Sequence, residues 1–361
     1  MGTEKGDIGK QYEVAIEKLR AGDLPTRIAS FYQLRRIAEH CPDDFKKVIF
    51  DILCAYLRDM PRERSHFTEC EEEYPTKECQ TLLNVLFKSK GQYVFCNFDA
   101  DLHEAYLVHV NLAGARLNKA NLMDTNFTGA NLAGANLEHA NFASANFSMA
   151  RLMGANLEYA KFDDMNLSNA NLSGANLGGA YLGKTNLTYA NFSGACLGGA
   201  EFSSQFYNEN FMGVNFNGAD LNCANLESAN FAQTHFANAD LVNSYLVNVN
   251  FEAANLANAN FDGANLEGAN LDGANLTGAE LVGADLEYAS INTADTGSMS
   301  ANLAIANLTN ANLTRANLSH AKLTFADMTR ANLTNATLTR TDISEADTEG
   351  ADFTGTGRED R

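Results

Sequence analysis

From Leu102 onward a large apolar residue recurs at every fifth position, as in "ANLEGANLDGANLTGAELVGADLEYA" (264–289). A period of five suits neither regular structure. At ~100° per residue a helix would carry these leucines around its whole surface, advancing them by ~140° per repeat. A flat strand would throw them alternately to both faces, because its side chains repeat every two residues. The chain must therefore bend once per repeat.

Taking the large apolar residue as the centre, one register runs from Leu102 to Phe202 with 21 centres. A second runs from Phe206 to Ile291 with 18, and a third from Leu303 to Phe353 with 11. All are apolar except Thr348. Ala usually stands two positions before the centre, and Asn or Asp one before. The pattern predicts that centre and Ala both point inward, while the other three positions face solvent. Successive coils then stack through backbone hydrogen bonds ~4.8 Å apart, and Asn bonds nearby main chain at the bend.

The first 90 residues follow a different grammar. Ile8, Tyr12, Ile16 and Leu19 share one helical face, as do Phe45, Val48 or Ile49, Ile52 and Tyr56. Ile28, Phe31, Leu34 and Ile37 mark a helix between them, with Asp23 as its N-cap after the breaker "AGDLP". Cys41-Pro42-Asp43 separates two helices, and a last short one surrounds Leu82, Leu83 and Leu86.

The A(D/N)LXX pattern resembles the pentapeptide-repeat family over roughly 260 residues. The resemblance implies a mainly β protein, a right-handed quadrilateral β-helix of about 12 coils over 91–361 and ~60 Å long. A small all-α domain, 1–90, precedes it. The segment "QYEVAIEKLRAGDLPTRIASFYQLRRIAEHCP" resembles the helical region found before the repeats in some bacterial members. Open strand edges invite end-to-end association, so the helices are expected to cap the solenoid.

Little here supports catalysis. The seven histidines are scattered, and no HExxH or GxxxxGK[ST] occurs. Seven cysteines form an odd set without a CxxC pair, which argues against a zinc site or a disulfide framework. No cofactor or metal is expected. The N-terminus lacks the pattern of a secretory signal and no apolar run is long enough for a membrane span, so the expected location is cytoplasmic.

Charge is the feature with functional content. The chain carries net −19, and residues 1–90 are nearly balanced with 16 acidic and 15 basic side chains. Between Thr185 and Thr314 there are 13 carboxylates and no Lys or Arg. At twenty residues per coil, Glu201, Asp220, Asp240, Asp262 and Glu280 are expected on one face. Glu227, Glu267, Asp285 and Glu287 fall on a neighbouring face, and Glu252 with Asp272 on a third. Two interruptions break the register. Phe202 and Phe206 stand four apart, with Ser204, Glu209 and Val214 in slots usually held by Ala, and two extra residues separate Thr296 from Leu303. Tyr207 in the first break is a candidate aromatic anchor.

These features predict a non-enzymatic interaction or scaffold protein whose acidic rod meets a protein partner with a basic surface, with no direct binding of nucleic acid or membrane. One alternative is a DNA mimic that binds a gyrase-like type II topoisomerase, as some members of the resembled family do. The acidic segment carries about one charge per ~2.4 Å of axis, against one per ~1.7 Å in duplex DNA. The other alternative is an inert structural spacer.

Overall fold

The computed structural model describes residues 2–60, 75–88, 94–202, 211, 213–292 and 300–356, with the side chains of 2–7 left aside. Four helices open the chain: α1 (Gly2–Leu19), α2 (Leu24–Glu39), α3 (Asp43–Arg58) and α4 (Lys77–Phe87). Asp23 caps α2, its carboxylate accepting from the Thr26 N–H at 2.9 Å, and Thr76 caps α4 through Cys79 N–H. Phe31, Leu34, Ile49, Phe50, Leu53, Leu82 and Leu83 fill the helical core with almost no exposure. Of the two candidates on α3, Ile49 turns inward and Val48 outward. Inside this domain the Glu78 carboxylate takes both the Arg27 guanidinium, at 2.6 and 3.0 Å, and the Tyr56 hydroxyl at 2.6 Å.

Phe50 of α3 carries the helical core into the first coil, with ring centroids 5.4 and 5.7 Å from Phe95 and Phe98. Arg58, at the end of α3, pairs with Asp101 on that coil. The helices and the solenoid thus share one continuous apolar interior.

From Asp101 the chain is a four-sided coil. Residues twenty apart pair in parallel, Asp101 with Asn121, Tyr106 with Asn126, Asn111 with Asn131 and Arg116 with Asn136, and so on up the rod. We number the faces by their first centres: Leu102 on face 1, Leu107 on face 2, Leu112 on face 3 and Leu117 on face 4. Centres and the Ala two before them lie inside at about zero exposure as far as Ala336, while Leu338, Ile343, Ala346, Ala351 and Phe353 of the last coil are only partly buried.

In a pentad with Asn before its centre every N–H finds an acceptor, which explains the grammar. In 130–134, Ala130 N–H closes the bend onto Phe127 O at 2.9 Å, and Asn131 N–H donates to Val110 O of the preceding coil at 2.8 Å. Leu132 and Gly134 donate to Arg151 O and Met153 O of the following coil at 2.7 and 2.9 Å. The fifth, Ala133 N–H, has no main-chain partner and donates to the side-chain Oδ1 of Asn131 at 3.2 Å. Asn or Asp before the centre is therefore a main-chain acceptor supplied by a side chain, as buried or bent backbone requires.

The third residue after the Ala–Asn pair's centre-adjacent position turns the corner. It stands at positive φ whether it is Gly114 (+67°) or a side chain such as Lys119 (+58°) or Tyr159 (+55°).

The two interruptions differ from the sequence expectation. Asn191 pairs with Asn215, Cys196 with Asp220 and Glu201 with Asn225, each 24 apart. Only one side of the coil separates Phe202 from Phe216, and Phe211 fills it, its ring tilted against Phe231 with centroids 4.5 Å apart. The second register therefore begins at Phe211, not Phe206, and the first break adds four residues at a corner. Val214 does occupy an inward Ala slot, fully buried. Ser204, Tyr207 and Glu209 lie outside the described residues. At the second break Asn275 pairs with Asn302, 27 apart. The insertion between the paired coils is thus seven residues rather than two, and Thr296 lies outside the described residues.

Candidate interaction surface

The 24-residue coil changes which carboxylates share a face. Asp220 pairs with Asp240, Asp240 with Asn260 and Asn260 with Glu280, so Asp220, Asp240 and Glu280 form one row on face 4. Asp262 lies two positions along the same face. Glu201 does not join them. It pairs with Tyr181 below and Asn225 above, on face 1. The four added residues are one short of a five-residue side, so a count of about twenty from Glu201 stops on face 4, one side before face 1. Face 1 accordingly holds Glu201 together with Glu227, Glu267, Asp285 and Glu287, while Glu252 and Asp272 lie on face 2.

Several of these carboxylates serve the backbone. Asp220 Oδ1 accepts from Asn222 N–H at 3.0 Å and Asp285 Oδ1 from Glu287 N–H at 3.1 Å, the role Asn plays elsewhere. Asp240 holds Val242 N–H at 3.3 Å and the Asn222 amide at 3.2 Å. Asp262 and Asp272 reach the next coil, accepting from Val282 N–H and Asn292 N–H, both at 2.8 Å. Glu280 accepts from the Asn307 amide at 2.8 Å. Glu201, Glu227 and Glu267 are the exposed glutamates of face 1. The acidic run ends where Arg315 approaches Glu287 at 3.8 Å and lies over the Tyr288 ring, 5.4 Å from its centroid.

The same bonding lowers the pKa of equivalent carboxylates near the C-terminal end. Asp327, Asp342 and Asp352 are held below the usual carboxylate range by hydrogen bonds from Thr329, Ser344 and Thr354. Among the described residues no group of His, Cys, Asp and Glu is placed to hold a metal ion, and the six described cysteines are free thiols. No described helix is long and apolar enough to cross a membrane. A cavity between α4 and the first coil is walled by Leu86, Phe95 and Phe98 and is water-sized at about 20 Å³.

Sequence reasoning found the acidic row but missed its complement. Among the described residues face 3 carries no carboxylate from Asn111 to Ile305. The signal was present in the sequence, and became readable only once the insertions of four and seven residues were placed at their corners.

The sequence pattern described as pentapeptide repeats matches in 8 copies, over 98–122, 120–158, 166–203, 299–335 and 316–355. A pentapeptide repeat region matches 210–291. No protein of curated function matches the chain. Among solved structures, the chain is similar to HetL, a pentapeptide repeat protein involved in heterocyst differentiation regulation in Nostoc sp. strain PCC 7120. Identity is 29%, covering 70% of this chain and 92% of that one, with a TM-score of 0.25. A pentapeptide repeat protein of the Arabidopsis thaliana thylakoid lumen is 35% identical over 26% of this chain and 62% of its own, with a TM-score of 0.25. QnrB1, a plasmid-mediated fluoroquinolone resistance protein, is 14% identical over 68% of this chain and 91% of its own, with a TM-score of 0.23. With repeats matched along the whole solenoid, this chain belongs to the pentapeptide-repeat family.

Proposed function

We propose that this protein is a non-enzymatic interaction protein that presents faces 1 and 4 of its solenoid to a basic partner protein. The observation that carries the reading is the pair of adjacent acidic rows. Asp220, Asp240 and Glu280 stack on face 4, Glu227, Glu267 and Glu287 on face 1, and no Lys or Arg occurs from 185 to 314. Like charges on adjacent coils, ~5 Å apart, repel by about 0.8 kcal/mol in water, so a sequence selected for stability alone would intersperse lysines. Pentapeptide-repeat proteins act as structural and interaction proteins, and a convex rod offers no enclosed pocket for chemistry.

The test is capture from lysate at low and high salt. The intact protein is compared with a variant carrying Glu227→Gln, Glu267→Gln, Asp240→Asn and Glu280→Gln. Amides keep the acceptor oxygens that the turns use, so folding is retained while charge is lost. Partners that bind the intact protein and are lost both with the variant and with salt support the reading. Partners unchanged in both leave the solenoid as an inert spacer.

A second reading, a DNA mimic acting on a type II topoisomerase, is favoured by the axial charge density of the same segment. It requires inhibition or protection in a gyrase supercoiling assay that the variant no longer gives.

A further inference from the structure

Face 3 is the complement of the acidic rows. From Asn111 to Ile305, roughly ten coils, its outward positions are Asn, Ala, Ser, Thr and Gly, with Met153, His235 and a single formal charge, Arg151. On a chain of net −19 this is the broad surface on which two copies meet without opposing carboxylates. Its outer corner is a ridge of Gly114, Gly134, Gly154, Gly174, Gly194 and Gly218 at φ +63° to +67°. That backbone conformation does not by itself demand glycine, because Lys119, Asp124, His139 and Tyr159 adopt it at other corners of the same coils. Nor does packing within the chain demand it. A Cβ built on any of these six glycines meets nothing within 4 Å. What the ridge provides is close approach by something from outside.

Further along the same corner the glycines give way to Ile305 and Phe325, which are 64% and 65% exposed and adjacent on successive coils. The Phe325 coil also carries Lys322 on this face, and the next coil carries Asp342, paired with Lys322, and Glu345. The face therefore has a glycine-ridged half whose one formal charge is Arg151, and a half bearing two large apolar side chains in which Asp342 and Glu345 outnumber Lys322.

We propose that face 3 is the contact of an antiparallel homodimer. A two-fold axis lying in the interface across the rods sets ridge against ridge with the coil order reversed. Placing Arg151 opposite Asp342 of the second copy fixes the register. The coil of Phe325 then meets the coil of Gly174, and the coil of Ile305 meets that of Gly194. Each copy seats two large side chains on the other's glycines, and each contributes one half of two ion pairs. A parallel arrangement brings Asp342 and Glu345 close to their own equivalents and is disfavoured.

Ten coils at ~4.8 Å and a face of three peptide units at ~3.3 Å give a footprint of about 500 Å² per copy. The total of about 1,000 Å² is at the lower end for a specific interface, with the charge-poor centre such contacts have. The dimer is accordingly of about micromolar affinity. Salt strengthens it by screening the repulsion between the two acidic chains, opposite to the salt dependence of capture by a basic partner.

The experiment is sedimentation velocity of the full chain over 1–100 µM in 0.05 and 0.5 M NaCl. The expected result is a monomer–dimer equilibrium shifted to dimer by salt. Ile305→Glu with Phe325→Glu, both exposed and outside the core, should weaken it about tenfold or more with the thermal melt unchanged. Arg151→Asp should also weaken it, and Arg151→Asp with Asp342→Arg should restore it. Both swapped residue types already occur in this slot, at Asp220 and Arg116, so the swap tests pairing and not folding. A chain that stays monomeric at 100 µM in 0.5 M NaCl overturns the proposal. So does a dimer indifferent to these variants, which places the contact on another surface.

Discussion

The side-chain amide of Gln80, on α4, stands in for a peptide unit of a coil that is not there. Its Oε1 accepts the Asn111 N–H at 2.7 Å and its Nε2 donates to the Asn111 carbonyl at 2.8 Å. Higher up the rod the same two bonds are made by backbone, as when Asn131 N–H reaches Val110 O and Asn131 O receives Leu112 N–H. Lys88 adds a bond to the Asn111 carbonyl at 3.0 Å. The strand edge that would otherwise begin face 3 is thereby closed by the helical domain.

Gln80→Leu leaves the Asn111 N–H without its acceptor, while Lys88 keeps the carbonyl satisfied. The expected loss is about 1 kcal/mol, with faster amide exchange at Asn111 and little change several coils away. Gln80→Glu keeps the acceptor and should protect that amide. Amide exchange by NMR or mass spectrometry distinguishes the two. Deleting residues 1–90 removes Gln80, Lys88 and Arg58 together and should yield rods that associate end to end. A monodisperse truncated protein in sedimentation would contradict this account of the cap.

The acceptor role of the residue before the centre makes a second prediction. Asn171 Oδ1 holds the Ser173 N–H at 3.0 Å. Asn171→Ala should cost about 1 kcal/mol, whereas Asn171→Asp should be near neutral, because Asp220 and Asp327 make the equivalent bond. Chemical denaturation of the two variants decides it. Equal losses would mean that the side-chain acceptor is unimportant.

Phe231 sits at the join of the shifted registers, with ring centroids 4.5, 5.8, 5.1 and 5.6 Å from Phe211, Phe216, Phe236 and Phe251. Phe231→Ala should destabilise by about 3–5 kcal/mol. Because stacked coils couple to their nearest neighbours, the loss should appear as a separate low-temperature transition in calorimetry. A single cooperative melt displaced as a whole would show that the solenoid unfolds as one unit.

Glu78 makes the helical domain acid-sensitive. Burial opposes its ionisation, but the bonds from Arg27 and Tyr56 outweigh it and hold its carboxyl below the usual range. A folded-state value below the unfolded one contributes stability that is present above the unfolded value, about 4.3. It is lost as pH falls through the folded value. Stability of the wild-type cap should therefore decline below about pH 4.5. Glu78→Gln should start about 2 kcal/mol lower at pH 7 and show a flatter acid limb. Thermal melts from pH 3 to 7 give both quantities, and parallel curves would exclude Glu78 as the responsible group.

The sequence alone determined the coil. A large apolar residue every fifth position, Ala two before it and Asn beside it admit one solution, because each slot answers a local need: core volume, passage of the backbone, and an acceptor for the one N–H the ladder leaves out. The helices at Asp23 and Pro42 were legible for the same reason, since caps and breakers act within a few residues. Local patterning left open where added residues go. Phe206 is as good a centre as Phe211 by type and spacing, and only the pairing of Asn191 with Asn215 shows that a corner grew by four residues. That choice moved Glu201 from face 4 to face 1 and revealed the described residues of face 3 as free of carboxylates over ten coils. The Gln80–Asn111 contact, 31 residues apart, was likewise decided by tertiary structure. Which residues share a face depends on the sum of all preceding coil lengths, and no window of five residues contains that sum.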